Sequence, residues 1–125
     1  MRYNDAILKP PGPVIDVSVR PAGQNAPVQS KLGELDTGAA ISIIPHEIAT
    51  QLRLTPERQV LMLGYDENET KRWTYIVDLE IAGYTLEAVS VVAAPRDTIL
   101  LGRDVLNHFV ITLDGKAQTF EIVDP

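Results

Sequence analysis

The chain contains no cysteine, so disulfides and thiolate metal sites are excluded and thiol chemistry says nothing about its compartment. Basic residues are few. Eleven Lys and Arg stand against 17 Asp and Glu, a formal net charge of −6 with a pI near 4.8. Phosphate binding needs concentrated Lys and Arg, and Lys71-Arg72 is the only adjacent basic pair. Nucleic acid is therefore not an expected partner, and that pair reads as a solvated face. The two histidines, His46 and His108, lie far apart and lack partners at metal-ligand spacing. Both read as surface residues, and neither a metal nor a cofactor is expected. No apolar run is long enough for a signal peptide or a membrane span. A soluble, cytoplasmic protein with no membrane partner is the expectation. There is also no internal repeat.

What is present fits one domain. At 125 residues a chain can bury roughly two-thirds of the surface it exposes when unfolded. Residues 1–13, with Pro10-Pro11-Gly12-Pro13, read as a Pro-rich N-terminal arm, extended or disordered. Residues 14–125 form the domain. Val14 to Val19 sets Ile15, Val17 and Val19 against Asp16 and Ser18, the period-2 pattern of a half-buried strand. After the breaker-rich loop 21–27, Val28 to Leu35 returns as its partner.

Further on, Ile41-Ser42-Ile43-Ile44 is a β-branched run. Pro45 then suits the first position of a short helix with Ile48, Ala49 and Leu52 on one face. Three hairpins follow from the pattern. One joins Val60–Leu63 to Trp73–Ile81 through a polar tip that begins Gly64-Tyr65-Asp66, and the second turns at Ala82-Gly83-Tyr84. The third turns at Asp114-Gly115, a pair favoured in two-residue turns. Between the last two lies the apolar run Thr98-Ile99-Leu100-Leu101 ending at Gly102-Arg103-Asp104, the composition of a strand buried on both faces, followed by the helix-like 105–109. Many short strands, regular turns and one or two short helices predict an all-β, closed, mostly antiparallel barrel.

The feature most specific to chemistry is Asp36-Thr37-Gly38-Ala39, delivered at the end of a strand after Leu32 and Leu35. Gly38 gives the turn access to backbone angles closed to other residues and permits close approach. The Thr37 hydroxyl can donate and accept, and so can lock the turn from beneath. The plain alternative is an ordinary turn, since Asp and Gly are favoured there in any case.

Taken with Leu100-Leu101-Gly102-Arg103-Asp104, this segment resembles the retropepsin-like aspartic proteases: retroviral proteases, retroviral-like domains of ubiquitin-shuttle proteins and their bacterial relatives. The resemblance runs from about Val14 to Ile122, and a bacterial-type member is expected. It implies a closed acid-protease barrel and hydrolysis of peptide bonds. Asp36 would be the catalytic carboxylate, with Thr37 and Gly38 completing the catalytic loop. Ala39, and Gly64, Tyr65 and Asp66 in the segment where the family carries its flap, would contact substrate. Gly102 and Arg103 would support the loop. The chemistry needs two carboxyls about 3 Å apart, which share one proton, and the chain has a single Asp-Thr-Gly. The resemblance therefore implies a homodimer, with Thr37 bonding across to the matching loop and 119–122 in the interface.

Two departures matter. Retroviral enzymes carry an Asp four residues after the catalytic one, and Ala40 stands there, so Arg103 is expected to pair with a neighbouring acid instead. Glu34 stands where relatives are usually apolar. Residues two apart on a strand share a face, so Glu34 is expected either to line a subsite beside the scissile bond and favour basic or polar side chains, or to sit solvated at a twisted strand tip. Ile43, Ile44, Ile99 and Leu100 read as core rather than cleft wall. Two other functions remain open from sequence: a peptide- or protein-binding module on the same dimeric fold, and a structural barrel in which Asp-Thr-Gly is only a turn.

Overall fold

The alternation at the start of the domain builds its first strand. In the computed structural model, which describes residues 1–63 and 68–125, β1 (Val14–Pro21) turns Ile15, Val17 and Val19 into the core and leaves Asp16 exposed. It pairs antiparallel with β2 (Gln29–Leu35) on one side. On β2 the inward phase falls on Gly33 and Leu35. A Cβ on Gly33 would lie 2.7 Å from Val17 Cγ2, so only glycine lets the two strands meet there.

The remaining strands are β3 (Ile43–Pro45), β4 (Arg58–Leu63), β5 (Glu69–Ile81), β6 (Tyr84–Ala94), β7 (Ile99–Leu101), β8 (Val110–Asp114) and β9 (Thr119–Val123). Two short helices, α1 (His46–Gln51) and α2 (Arg103–Leu106), follow β3 and β7. The main sheet runs β1-β2-β7-β3-β6-β5-β4, and β1 also pairs with β5, so six strands close into a barrel with β4 as an added flank. Pairings are antiparallel except β2 with β7 and β3 with β6. The core is a continuous cluster that includes Val17, Val19, Ile44, Ile48, Val77, Leu79, Val91, Ile99, Leu101 and Phe120.

The hairpins β4–β5 and β5–β6 match the sequence pattern, except that Tyr84 already pairs with Ile81, which leaves Ala82-Gly83 as the turn. Other details differ. The run Ile41–Ile44 is strand only from Ile43, because Ile41 and Ser42 belong to the turn that leaves Asp36. Pro45 ends β3 and caps α1 rather than entering it. β8 and β9 are joined by four residues, not two: Asp114 pairs with Thr119, its carboxylate accepts from Ala117 N at 2.9 Å, and Gln118 takes the positive φ. β7 is buried on one face only, through Ile99 and Leu101, while Leu100 is half-buried on the other.

The N-terminal arm is ordered against β9. Phe120 N donates to Met1 O at 2.8 Å, Tyr3 N donates to Gln118 O at 2.8 Å, and the Tyr3 ring packs on Phe120. Phe120 and Ile122 are buried inside this protomer. They are core residues, so an interface role of 119–122 falls to its half-buried Thr119 and exposed Glu121. The exposed apolar residues of this sheet are Val110, Leu113 and Val123.

Candidate active site

Asp36 stands one residue beyond β2, and its backbone is fixed from the neighbouring strand: Asp36 N donates to Leu101 O at 2.9 Å. The turn then closes on the aspartate itself. Gly38 N donates to Asp36 Oδ1 at 2.8 Å and Ala39 N to Asp36 O at 3.2 Å. One carboxylate oxygen is thus committed to a backbone amide, and the half-buried side chain is held in place.

The expected roles of the neighbours need revision. Gly38 does not take a positive φ. Its value is closeness, since a Cβ there would sit 3.0 Å from Asp36 Oδ1. The Thr37 hydroxyl makes no hydrogen bond among the described residues, so it does not lock its own turn; the Asp36 carboxylate does. Thr37 and Gly38 are exposed, and Ala39 is half-buried.

Behind the turn lies the support. Gly102 is buried, and a Cβ on it would meet Ala39 O at 2.9 Å and the Ile41 carbonyl carbon at 2.9 Å, both backbone atoms that cannot step aside. Arg103 N donates to Ala39 O at 2.8 Å, and Arg103 Nη1 donates to Thr37 O at 2.7 Å. The partner of Arg103 is therefore the backbone of the Asp36 turn, not a neighbouring acid. The nearest acid in sequence, Asp104, is occupied elsewhere.

Sequence reasoning missed what occupies it. Ser42, fully buried, donates through Oγ to Asp104 Oδ1 at 2.7 Å, and its N donates to Asp104 Oδ2 at 3.0 Å. Gly102 N donates to Ser42 Oγ at 2.9 Å, and Val105 N donates to Asp104 Oδ1 at 2.9 Å. Ser42 thereby joins the end of the Asp36 turn to the start of α2. The signal was there: Ser42 shares the strand phase of Ile44, and a polar residue on an inward phase demands partners.

The four apolar candidates divide by face. Ile44 and Ile99 are fully buried in the core. Ile43 and Leu100, paired with each other across β3 and β7, are half-buried on the outer face of the barrel. Glu34 pairs with Leu100 in register, opposite in phase to Gly33 and Leu35, and so belongs to that outer face as well. Cross-strand partners continue the face through Val92 and Thr74 to Arg58 on β4, which shares its strand face with Val60 and Met62. Glu34 does not sit free and solvated at a twisted strand tip. Its carboxylate accepts from Arg96 Nη2 at 2.9 Å and from Thr98 Oγ1.

Gly64, Tyr65 and Asp66 lie outside the described residues. His46 and His108 are exposed. Among the described residues no cluster of His, Asp and Glu could hold a metal ion, and no helix is long and apolar enough to cross a membrane.

Solved structures share this architecture. Simian foamy virus (mac) protease aligns with a TM-score of 0.57 at 21% identity, over 76% of this chain and 92% of that one. EIAV protease complexed with the inhibitor HBY-793 aligns with a TM-score of 0.61 at 19% identity, over 86% and 92%. A foamy viral protease-reverse transcriptase in complex with an RNA/DNA hybrid aligns at 0.55 and 18% identity, over 75% of this chain but 12% of that one. These likenesses establish the fold, a retropepsin-like barrel. No curated protein matches in sequence. The family model described as gag-polyprotein putative aspartyl protease matches residues 33–108, which span Asp36, Ser42, Gly102 and Arg103 and make up more than half of the chain. On that match, the chain belongs to the gag-polyprotein aspartyl protease family.

Proposed function

We propose that this protein is an aspartic endopeptidase that hydrolyses peptide bonds in extended peptides, active as a homodimer with one Asp-Thr-Gly loop from each protomer. The observation that carries the reading is Asp36 itself: a carboxylate held by Gly38 N at 2.8 Å, on a turn braced by Arg103 and Gly102. In the reaction one Asp36 takes a proton from water while its symmetry mate, protonated, polarises the scissile carbonyl. Two such groups side by side cannot both ionise and so share a proton. A twofold contact is the commonest way for one loop to become two.

Support for the twofold contact comes from the surface around Thr37. Thr37 and Gly38 are exposed, and Thr37 borders an apolar hollow of about 270 Å³ lined also by Pro13, Leu35, Leu106, Ile111 and Leu113. The free Thr37 hydroxyl is available to bond across to the matching loop. By resemblance, the hairpin of β4 and β5 is the flap, and Gly64, Tyr65 and Asp66, which follow β4 in sequence, would contact substrate together with Ala39. The outer face beside Asp36, with Ile43, Leu100, Val60 and Met62, offers apolar lining for bound peptide.

The same reading takes residues 1–13 as an arm on a domain of residues 14–125 and the protein as a bacterial-type, cytoplasmic member. Its partners are a second copy of itself and a peptide or protein substrate, not nucleic acid or membrane; the net charge of −6 supports the exclusion of nucleic acid. The test is mass-spectrometric cleavage profiling of a diverse peptide library from acid to neutral pH, comparing wild type with Asp36→Asn. Cleavage by the wild type that vanishes in the variant is expected. Equal silence from both would reject hydrolysis and leave a peptide-binding module on the same fold.

A further inference from the structure

Glu34 lies on the outer face of the barrel, two residues before Asp36, and the structure gives it a set of partners from the loop between β6 and β7. Arg96 Nη2 donates to Glu34 Oε2 at 2.9 Å and to Thr98 Oγ1 at 3.1 Å, Arg96 Nε donates to Thr98 O at 2.7 Å, and Thr98 Oγ1 donates to Glu34 Oε2. Every bond in the cluster runs through Oε2, Nε and Nη2. Among the described residues, Glu34 Oε1 and Arg96 Nη1 have no hydrogen-bond partner. The side chains are 22% and 28% exposed, so the pair is fixed in place yet open to a ligand.

We propose that the Glu34–Arg96–Thr98 cluster determines substrate specificity, accepting a carboxamide side chain, Gln or Asn, next to the scissile bond; this rests on the endopeptidase reading above. The chemistry is complementary. A carboxamide presents an NH₂ that donates and a carbonyl that accepts, and the cluster offers an open carboxylate oxygen beside an open guanidinium N–H. A lone Glu34 would attract Lys or Arg. Paired with Arg96 it does not, because a basic substrate side chain meets the guanidinium and an acidic one meets the carboxylate, and each like-charge contact selects against its bearer. Arg96 and Glu34 therefore set the charge of the subsite together. The exposed Asp97 next to it is not bonded into the cluster.

The experiment profiles one library of extended peptides in two ways: cleavage by proteins with Asp36 intact, and retention on proteins carrying Asp36→Asn. Wild type, Arg96→Met, Glu34→Gln and the double variant are compared in each background. Glu34→Gln is isosteric and serves if Arg96→Met does not fold. The wild-type cluster is expected to favour Gln and Asn at one position. Arg96→Met should raise Lys and Arg there by about tenfold, Glu34→Gln should raise Asp and Glu by a similar factor, and the double variant should cancel both. Profiles that do not shift, or an absence of both cleavage and retention, overturn the proposal. A wild type that cuts nothing, with shifted retention on the Asp36→Asn proteins, overturns the endopeptidase reading and with it the place beside a scissile bond, while upholding the cluster as the carboxamide selector of a peptide-binding module.

Discussion

Asp36, Thr37 and Gly38 were legible in the sequence as a unit because the turn chemistry is local, but how they are held was not. The groups that brace them come from more than 60 positions away, the Leu101 carbonyl and the Arg103 guanidinium. Three substitutions separate the roles. Ser42→Ala removes the hydroxyl that satisfies Gly102 N and Asp104 Oδ1, leaving buried groups unpaired; a loss of about 1–3 kcal/mol is expected in denaturant titration. Gly102→Ala drives a Cβ into the Ala39 and Ile41 carbonyls. It should cost about 1–3 kcal/mol and lower activity together with stability, because the displaced backbone leads directly to Asp36. Arg103→Met is different. Arg103 is exposed, and among the described residues its guanidinium hydrogen-bonds only the Thr37 carbonyl, so melting temperature should hardly move; on the proposed endopeptidase reading kcat should fall by roughly tenfold as the Asp36 turn loosens.

At the scale of elements, the sequence predicts strands well where one face is wet and fails where a side chain rebuilds the backbone. Ile15, Val17 and Val19 alternate cleanly and are buried as expected. The β5–β6 hairpin is readable too, but its irregularity is not: the register shifts between Val77 and Leu79, and Ala88 opposite takes φ 54°. Asp78 explains the distortion. Buried in the bulge, it accepts from Ala88 N at 2.9 Å and from Gly23 N in the β1–β2 loop at 3.0 Å, tying three strands through one carboxylate. Nothing in a window around Asp78 points to Gly23, 55 residues earlier. Asp78→Ala should therefore destabilise the domain by about 2–3 kcal/mol, as two amides lose a charged acceptor. Asp97→Ala, at an exposed site, should change stability by less than about 0.5 kcal/mol. Equal effects of the two in urea titration would show that the bulge forms without its clamp.

For the whole molecule the limit is different in kind. The chain has one Asp-Thr-Gly, so the second carboxylate of the proposed pair belongs to another copy, and no reading of a single sequence can place it. The resemblance points to 119–122 in the interface, and because Phe120 and Ile122 also face the core, a β9 deletion would remove core side chains together with any contact the strand makes. The surface that can be tested is the apolar hollow beside Thr37, where Leu113 is 53% exposed. Leu113→Glu adds a charge there without touching Asp36 or the buried core. If the hollow lies in the twofold contact, burying that carboxylate opposes association strongly. The variant should then sediment as a folded monomer with wild-type thermal stability per chain and lose cleavage at low protein concentration. Activity should return with the square of concentration, as expected when two half-sites must meet. A Leu113→Glu protein that stays dimeric and fully active would move the contact to another surface, with the outward Val110–Val123 pair of β8 and β9 next to be tested.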